Sequence, residues 1–178
     1  SKTALSTAMM LRAEGTDRKV IGLTSSGNKA VVEKVGVYNE VLTYDEIGQL
    51  DPHFPHVMID FAGNGEVSAR VHTHLGDKMR HNAVVGASHA EAPRKAEGMN
   101  ADRSEVFFMP AYAAQRMKET DGQFRKDMRE AAGRVVAQAA SWMQLETATD
   151  REGIETLVHR VREGRIAPDQ GGIIEFDK

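Results

Sequence analysis

Short apolar segments alternate with helix-like segments through the first 110 residues of the chain. Each apolar segment is bounded by turn residues, a pattern typical of strands buried in a parallel sheet. The third is followed by a stretch in which Val67, Val71 and Leu75 share one helical face. Strands separated by helices form right-handed βαβ crossovers, so the pattern predicts an α/β fold with a doubly wound parallel sheet in three αβα layers. The strands are predicted at 19–24, 40–44, 56–61, 81–86 and 105–109, and the intervening helices at 29–35 and 66–75.

The pattern differs at the two ends of the chain. Residues 1–11 have apolar positions at helical spacing, and Gly15 is a suitable C-cap. Because a domain rarely begins on the first turn of a helix, we interpret the chain as a segment of a longer protein. The elements predicted beyond Pro110 are a long helix at 111–146, broken near Gly122, a second helix at 150–163 and a closing strand at 172–176.

The composition is that of an ordinary globular protein, with 40% hydrophobic and 28% charged residues among 178. No apolar run approaches the ~20 residues that cross a bilayer, so no membrane span is expected. The net charge of −3 argues against nucleic acid as a partner. The absence of cysteine excludes disulfide scaffolds, thiolate zinc sites and cysteine nucleophiles. Since the N-terminus has no signal-peptide pattern, we expect a cytoplasmic protein. With nucleic acid and membrane set aside, we expect a small molecule as its substrate.

The chemistry of such sheets lies at the carboxyl ends of the parallel strands. Small residues follow several predicted strands and would let a flat ligand lie against the backbone, although single glycines there also make ordinary turns. The first helical turn, Ser1, Lys2 and Thr3, would attract a phosphate through its N–H groups. The other candidate cofactor-binding residues, all at strand ends, are Thr24, Ser25, Tyr44, Ala62, Gly63, Val85, Gly86, Phe107 and Phe108.

The end of the strand at 19–24 indicates which nucleotide would bind. In dinucleotide-binding folds, an acidic residue after the second strand binds the ribose hydroxyls of NAD. Here Ser25 and Lys29 follow the strand, and no carboxylate does. A carboxylate would repel the 2′-phosphate of NADP, whereas a hydroxyl and an ammonium bind it. We therefore expect NADPH as the cofactor, with a solvated serine-rich turn as the alternative.

The stretch from Gly22 through Lys29 and Ala30 to Tyr44 resembles the zinc-independent quinone oxidoreductase branch of the medium-chain dehydrogenase/reductase superfamily. In that branch, a strand ending in a serine pair is followed by a Lys-Ala pair and then by a strand ending in tyrosine. The resemblance implies that Ser25, Lys29 and Tyr44 surround the adenosine 2′-phosphate.

Later segments resemble further parts of the same branch. Residues 60–63 and 84–86 are similar to two strand ends that line the ribose and pyrophosphate path, and 107–110 to the strand that meets the nicotinamide. Trp142 and residues 164–166 are similar to the C-terminal pattern of the branch. More closely, the whole chain resembles an uncharacterised subgroup, the DUF2855 type, in which a Ser-Lys-Thr-Ala start follows a serine-rich phosphate loop.

The resemblance implies an NADPH-dependent oxidoreductase that transfers a hydride, without zinc, to a quinone, enone or similar carbonyl acceptor. Residues 1–110 would be most of a Rossmann-type domain, and 111–178 would pack on it or extend it. The first, central strand of that domain and the branch's N-terminal barrel-like domain would lie upstream of Ser1. We therefore expect a homo-oligomer or dependence on the upstream region. The sequence identifies no catalytic residue; Tyr112 is merely close to the nicotinamide strand.

Other kinds of site and function have weaker support. His72 and His74 are two residues apart on a predicted helix and point to different faces, so we expect no metal site. Ser88 lacks the G-x-S-x-G pattern of a hydrolase nucleophile. Two alternatives to the oxidoreductase stay open: a non-catalytic NADPH-binding module that reports redox state, and an S-adenosylmethionine-dependent transferase, which would need an acid where Ser25 stands. The histidines weighed as metal ligands are His53, His56, His72, His74, His81 and His89.

Overall fold

The computed structural model describes residues 1–86, 93 and 95–176, and these form an α/β protein with parallel strands. The chain divides into two compact units, residues 1–129 and 130–178. The first unit contains α1 (Lys2–Ala13), β1 (Ile21–Thr24), α2 (Lys29–Val35), β2 (Glu40–Thr43), β3 (His56–Asp60), α3 (Gly65–Leu75), β4 (Met79–Val84), β5 (Ser104–Val106) and α4 (Met109–Glu119). Helix α5 (Gln123–Ala139) begins in the first unit, and the second contains β6 (Gln144–Ala148), α6 (Arg151–Arg162) and β7 (Gln170–Ile174).

The strands form three small sheets, and every pairing within them is parallel. β1 pairs with β2, β3 with β4 and β4 with β5, and β6 with β7. The predicted α/β class with parallel strands is therefore confirmed. Among the described residues, β1 has no strand partner other than β2, and β3 none other than β4. Each of these two strands thus keeps one edge without a strand beside it.

The two sheets of the first unit share one hydrophobic core. The Val67, Val71 and Leu75 face predicted for α3 points into this core, so that prediction is confirmed. Ile21 and Leu23 of β1 and Met58 of β3 pack against the same cluster, although they belong to different sheets. The buried members are Leu42, Ile47, Leu50, Val71, Leu75 and Met79.

Helix α2 and strand β1 each depend on a glycine. Helix α2 spans the predicted residues 29–35 and ends where Gly36 adopts a left-handed backbone conformation (φ 70°). In β1, a Cβ at Gly22 would come within 2.8 Å of the Tyr38 ring. Glycine at this position therefore lets the Tyr38 ring pack directly on the strand, and burial raises the pKa of Tyr38 to about 12.

The long helix predicted at 111–146 is wrong in its last part. The break near Gly122 is confirmed, since Asp121 (φ 44°) and Gly122 (φ 85°) both leave the helical region. However, α5 ends at Ala139, and Gln144–Ala148 form strand β6. The register joins Leu145 to Gly171 and Thr147 to Ile173 of β7, so hydrogen bonds to a segment far along the chain decide the conformation.

After α5, the second unit continues as one βαβ element, β6–α6–β7. Helix α6 is capped by Asp150, whose Oδ1 accepts a hydrogen bond from the Gly153 N–H at 2.8 Å. Leu157 is the buried residue of this helix and lies over β7, where a Cβ at Gly172 would come 2.7 Å from a Leu157 methyl carbon. Throughout the described part of the chain, no helix combines the length and apolar character needed to cross a membrane.

Candidate functional site

The carboxyl ends of β1 and β2 bring two predicted site residues to one sheet edge. Thr24 pairs in register with Thr43 across the parallel strands, so Ser25 and Tyr44 directly follow paired positions. Ser25 has an extended backbone (φ −72°, ψ 156°) and precedes a short 3₁₀ turn, Ser26–Asn28, that leads into α2. Lys29 is the first residue of α2. The residues predicted to surround a 2′-phosphate thus follow neighbouring strand ends.

Lys29 has a partner that the sequence analysis did not identify. Its Nζ donates to both carboxylate oxygens of Glu46, at 2.7 and 3.0 Å. The two side chains are 29% and 31% exposed, so solvent screens this pair less than an ion pair on the open surface. The hydrogen bond from Lys29 lowers the pKa of Glu46, and the same bond raises the pKa of Lys29. Both groups are therefore charged across the physiological range, and the candidate phosphate ligand lies beside an anion.

Glu46 is itself fixed by the backbone. Its Oε2 accepts a hydrogen bond from the Thr43 N–H at 2.8 Å, and the Thr43 side chain accepts from the Glu46 N–H. This reciprocal pair is a capping box for the 3₁₀ segment Tyr44–Gln49. The Thr-x-x-Glu spacing is visible in the sequence and could have identified the cap. Its contact with Lys29, 17 residues earlier, could not have been read from spacing.

Asp60 organises the end of β3. Its buried carboxylate accepts hydrogen bonds from the N–H groups of Ala62 (2.9 Å) and Gly63 (2.8 Å) and from the Ser68 hydroxyl (2.9 Å). Ala62 and Gly63, two predicted site residues, are therefore held by an internal anion. Burial and, secondarily, the negative charge of Asp60 raise the pKa of Tyr44. Tyr44 consequently stays a protonated phenol at neutral pH and can donate a hydrogen bond.

Val85 and Gly86, which follow β4, lie against the same turn. Their N–H groups both donate to the Asp60 carbonyl oxygen, at 2.8 and 3.0 Å. A Cβ at Gly86 would come 2.0 Å from the carbonyl oxygen of Phe61 and 2.6 Å from its carbonyl carbon. No side chain fits in that space. Glycine is therefore required for the two strand ends to approach this closely.

Phe107 and Phe108 connect β5 to α4. The Phe107 N–H donates to the Val84 carbonyl oxygen at 2.9 Å, which extends the strand pairing by one residue. The Phe107 ring lies 5.4 Å from that of Tyr112, and the Tyr112 ring lies 6.0 Å from that of Phe124. Phe108 is the exposed N-cap of α4. Aromatic surface thus remains accessible at this strand end.

The predicted residues at the N-terminus of α1 are exposed. Ser1 is the N-cap, and Lys2 and Thr3 form the first turn. The Ser6 and Thr7 hydroxyls donate to the Lys2 and Thr3 carbonyl oxygens, each at 3.0 Å. The role of this turn in phosphate binding stays a prediction.

A buried polar layer beneath α3 was not anticipated from the sequence. His72 and Asn82 are buried, and the His72 Nδ1 accepts a hydrogen bond from the Asn100 N–H at 3.3 Å. Among the described residues, the His72 Nε2 and both polar side-chain atoms of Asn82 have no hydrogen-bond partner. Burial, followed by the positive charge of Arg103, lowers the pKa of His72. The neutral imidazole therefore connects α3 to the segment that precedes β5.

Most of the histidines weighed as metal ligands have other partners. His53 Nδ1 donates to the Asp51 carboxylate, His56 Nε2 to the Asp51 carbonyl oxygen and His74 Nε2 to the Leu50 carbonyl oxygen, each at 2.8 Å. In the part of the chain that the structure describes, no three histidine or acidic side chains come together as metal ligands would. Ser88 and His89 lie outside the described residues.

A groove lies beside the segment that follows the β2 end. It measures about 700 Å³ and runs between the segment Tyr44–Gln49 and the solvent side of α3. Ile47, Arg70 and His74 are among the residues that line it. It is wide open and mixed in charge, unlike the enclosed apolar pockets that hold small ligands.

A family comparison agrees with one of the predictions. The family model described as "Protein of unknown function (DUF2855)" matches residues 1–167. The chain belongs to the DUF2855 family. The predicted likeness to this subgroup is thereby confirmed, whereas the wider likeness to the quinone oxidoreductase branch stays a prediction. No curated protein matches the chain. Because family membership assigns no activity, the function has to be argued from the strand ends.

Proposed function

We propose that the protein is an NADPH-dependent oxidoreductase related to the zinc-independent quinone oxidoreductase branch, and that this chain forms mainly its cofactor-binding domain. The main support is the position of Ser25, Lys29 and Tyr44 after two adjacent, parallel strands in register. A hydroxyl, an ammonium and a protonated phenol are all donors, which is what a phosphate group requires. This donor set fits the 2′-phosphate of NADPH.

The strand arrangement favours a Rossmann-type sheet for this domain. The two-stranded sheet β2–β1 and the three-stranded sheet β3–β4–β5 are both parallel and share one core. Among the described residues, β1 and β3 each keep one edge without a strand partner. One further parallel strand between β1 and β3 would join them in the order 2-1-x-3-4-5. That order matches the doubly wound dinucleotide-binding sheet, in which the first strand is central. We propose that a strand from outside this sequence occupies that position.

The remaining strand ends fit the rest of the cofactor. The Asp60-held turn at Ala62 and Gly63 and the close backbone approach at Gly86 leave small surfaces on which a ribose and a pyrophosphate can lie. Phe107, Phe108 and Tyr112 offer aromatic surface against which a nicotinamide ring can pack. NADPH supplies the hydride when bound, and the residues around it orient the ring and exclude water.

A non-catalytic NADPH-binding module is the second candidate. It is favoured by the ring contacts of Tyr112, the phenol nearest the aromatic strand end, which packs between Phe107 and Phe124. These ring contacts account for Tyr112 at this position without a catalytic role. Turnover distinguishes the two candidates, because the module would bind NADPH without oxidising it in the presence of a quinone.

Calorimetric titration of the full-length protein tests the cofactor assignment. We expect NADPH to bind at least about tenfold more tightly than NADH, equivalent to ~1.4 kcal/mol. Lys29→Ala should remove most of this preference, because it deletes the ammonium that faces the phosphate. Lys34→Ala, on the last turn of α2, is the matched control and should retain it. Equal affinities of the unmodified protein for NADPH and NADH, or binding of S-adenosylmethionine instead, would contradict the assignment.

Chelation tests the zinc-independent part of the proposal. NADPH oxidation by an added quinone should be unchanged after exhaustive dialysis against EDTA, because the proposed role of the protein is orientation of the ring and exclusion of water. Loss of activity that returns with added Zn²⁺ would show that a metal takes part in the reaction.

A further inference from the structure

The Lys29–Glu46 pair lies at the strand end where dinucleotide-binding folds distinguish the two nicotinamide cofactors. Lys29 begins α2 directly after the β1 end, and Glu46 follows the β2 end. The carboxylate contacts the ammonium through both oxygens. Any phosphate that binds the Lys29 ammonium must therefore approach a carboxylate.

Glu46 cannot leave this position without a loss elsewhere. The Thr43 N–H and the Lys29 ammonium both bond to its Oε2, and its own N–H is bonded to the Thr43 side chain. Displacing the carboxylate would break the capping box and leave the Thr43 N–H without its acceptor. The anion is thus a fixed part of the site.

A fixed carboxylate interacts differently with a 2′-phosphorylated ribose and with a ribose that has a free 2′-hydroxyl. A 2′-phosphate is repelled by the carboxylate and must share the Lys29 ammonium with it. A 2′-hydroxyl can instead donate a hydrogen bond to a carboxylate oxygen. The sequence suggested a site without an acid, whereas the folded chain brings an acid to it.

We propose that Glu46 is a specificity-determining residue that limits the preference of this protein for a 2′-phosphorylated adenosine ribose by holding and neutralising Lys29. The inference deepens the proposed function and rests on it. Glu46 acts through Lys29 and through its own negative charge. Its removal is expected to sharpen the preference for NADPH.

Glu46→Gln is the informative variant, because glutamine also serves at this position of a capping box and keeps the cap on the Tyr44–Gln49 segment. Glu33→Gln is the matched control. Glu33 is an exposed residue of α2, the helix that Lys29 begins, and it influences Lys29 only through its charge. The control therefore removes one negative charge without altering a Lys29 contact.

The probes are adenosine 2′,5′-bisphosphate and adenosine 5′-monophosphate, titrated into the full-length protein and the two variants. We expect Glu46→Gln to raise the ratio of their affinities, bisphosphate over monophosphate, at least about tenfold. Glu33→Gln should change the ratio by less than about twofold, because an exposed charge is screened by solvent. A purely structural role for Glu46 would lower the melting temperature without moving the ratio.

The two proposals fail in different ways. If the unmodified protein binds adenine nucleotides but Glu46→Gln leaves the ratio unchanged or lowers it, the specificity inference is overturned and the proposed function stands. If neither probe nor NADPH binds to the unmodified protein or to either variant, the proposed function is overturned and the inference with it.

Discussion

Two βαβ units of this chain have the same connectivity but very different burial. In β3–α3–β4, the helix buries six residues, including Val71, His72 and Leu75. In β6–α6–β7, the helix buries only Leu157 among its described residues. Both units have parallel strands and a helix of similar length, 11 residues in α3 and 12 in α6. The difference therefore does not come from local architecture.

The layer beneath each helix explains the difference. Helix α3 meets Ile47 of the Tyr44–Gln49 segment, Leu50 directly after it and Met79 of β4, so its apolar face is enclosed by two sheets and a connecting segment. In the described part of the second unit, α6 packs on a sheet of two strands, and Leu145 of that sheet is 62% exposed. A crossover helix contributes stability in proportion to the apolar area it removes from water, and a two-stranded sheet offers little.

The largest expected effect is at the centre of the α3 core. Leu75→Ala should lower the free energy of unfolding by about 2–5 kcal/mol, because it leaves a cavity among side chains that cannot fully collapse. Val161→Ala, at a position of α6 that is 59% exposed, is the control and should cost less than about 1 kcal/mol. Urea denaturation measures both. Equal costs for the two variants would contradict the proposed difference between the units.

Two glycines test how closely each unit is packed. Gly86→Ala should cost about 1–3 kcal/mol, because its Cβ would overlap the backbone of Phe61. In the second unit, the Cβ of Gly172→Ala would meet the Leu157 side chain rather than backbone, and a side chain can shift, so its cost should be smaller than that of Gly86→Ala. Thermal melting of both variants gives the comparison. A tolerated Gly86→Ala would show that the end of β4 is less tightly held than described.

The buried histidine of the first unit predicts a pH dependence. The pKa of His72 is lowered in the folded protein, so the unfolded chain binds its proton first. Above about pH 6.5, His72 is neutral in both the folded and the unfolded chain and causes no loss of stability. Below that pH, the free energy of unfolding falls as the pH decreases towards the folded pKa, by at most about 1.4 kcal/mol per pH unit. His72→Gln should flatten this part of the curve, whereas His159→Gln, at an exposed position of α6, should not. Urea midpoints between pH 5 and 8 measure it, and identical curves for His72→Gln and the unmodified protein would contradict the assignment.

The smallest effect is expected for the ion pair that joins α6 to β6. Arg160 Nη1 lies 2.7 and 2.8 Å from the two carboxylate oxygens of Glu146. Because the Glu146 side chain is 53% exposed to solvent, the coupling of the pair in a double-mutant cycle with Arg160→Met and Glu146→Gln should be about 0.2–1 kcal/mol. A coupling well above that range would mean that the second unit depends on charge where the first depends on its core.

Part of the candidate site could be predicted because it depends on chain order alone. Ser25 and Tyr44 follow strands that the apolar pattern identifies, and parallel strands bring such residues to one edge. The partner of Lys29 could not be predicted in this way. Glu46 has a recognisable place in a capping box, but its position beside Lys29 depends on how β1 and β2 pair. The unpartnered atoms of His72 and Asn82 likewise arise only when α3 packs on the sheet.

The sequence by itself determined the elements whose signals are local. The span of α2, its end at Gly36 and the apolar face of α3 all follow from residues within a few turns of one another. Only the tertiary structure decided that 144–148 form a strand, since their hydrogen-bond partners lie in β7. It also decided that the strands form three separate sheets. A helix satisfies its backbone hydrogen bonds within four residues, whereas a strand depends on a partner strand at any distance along the sequence.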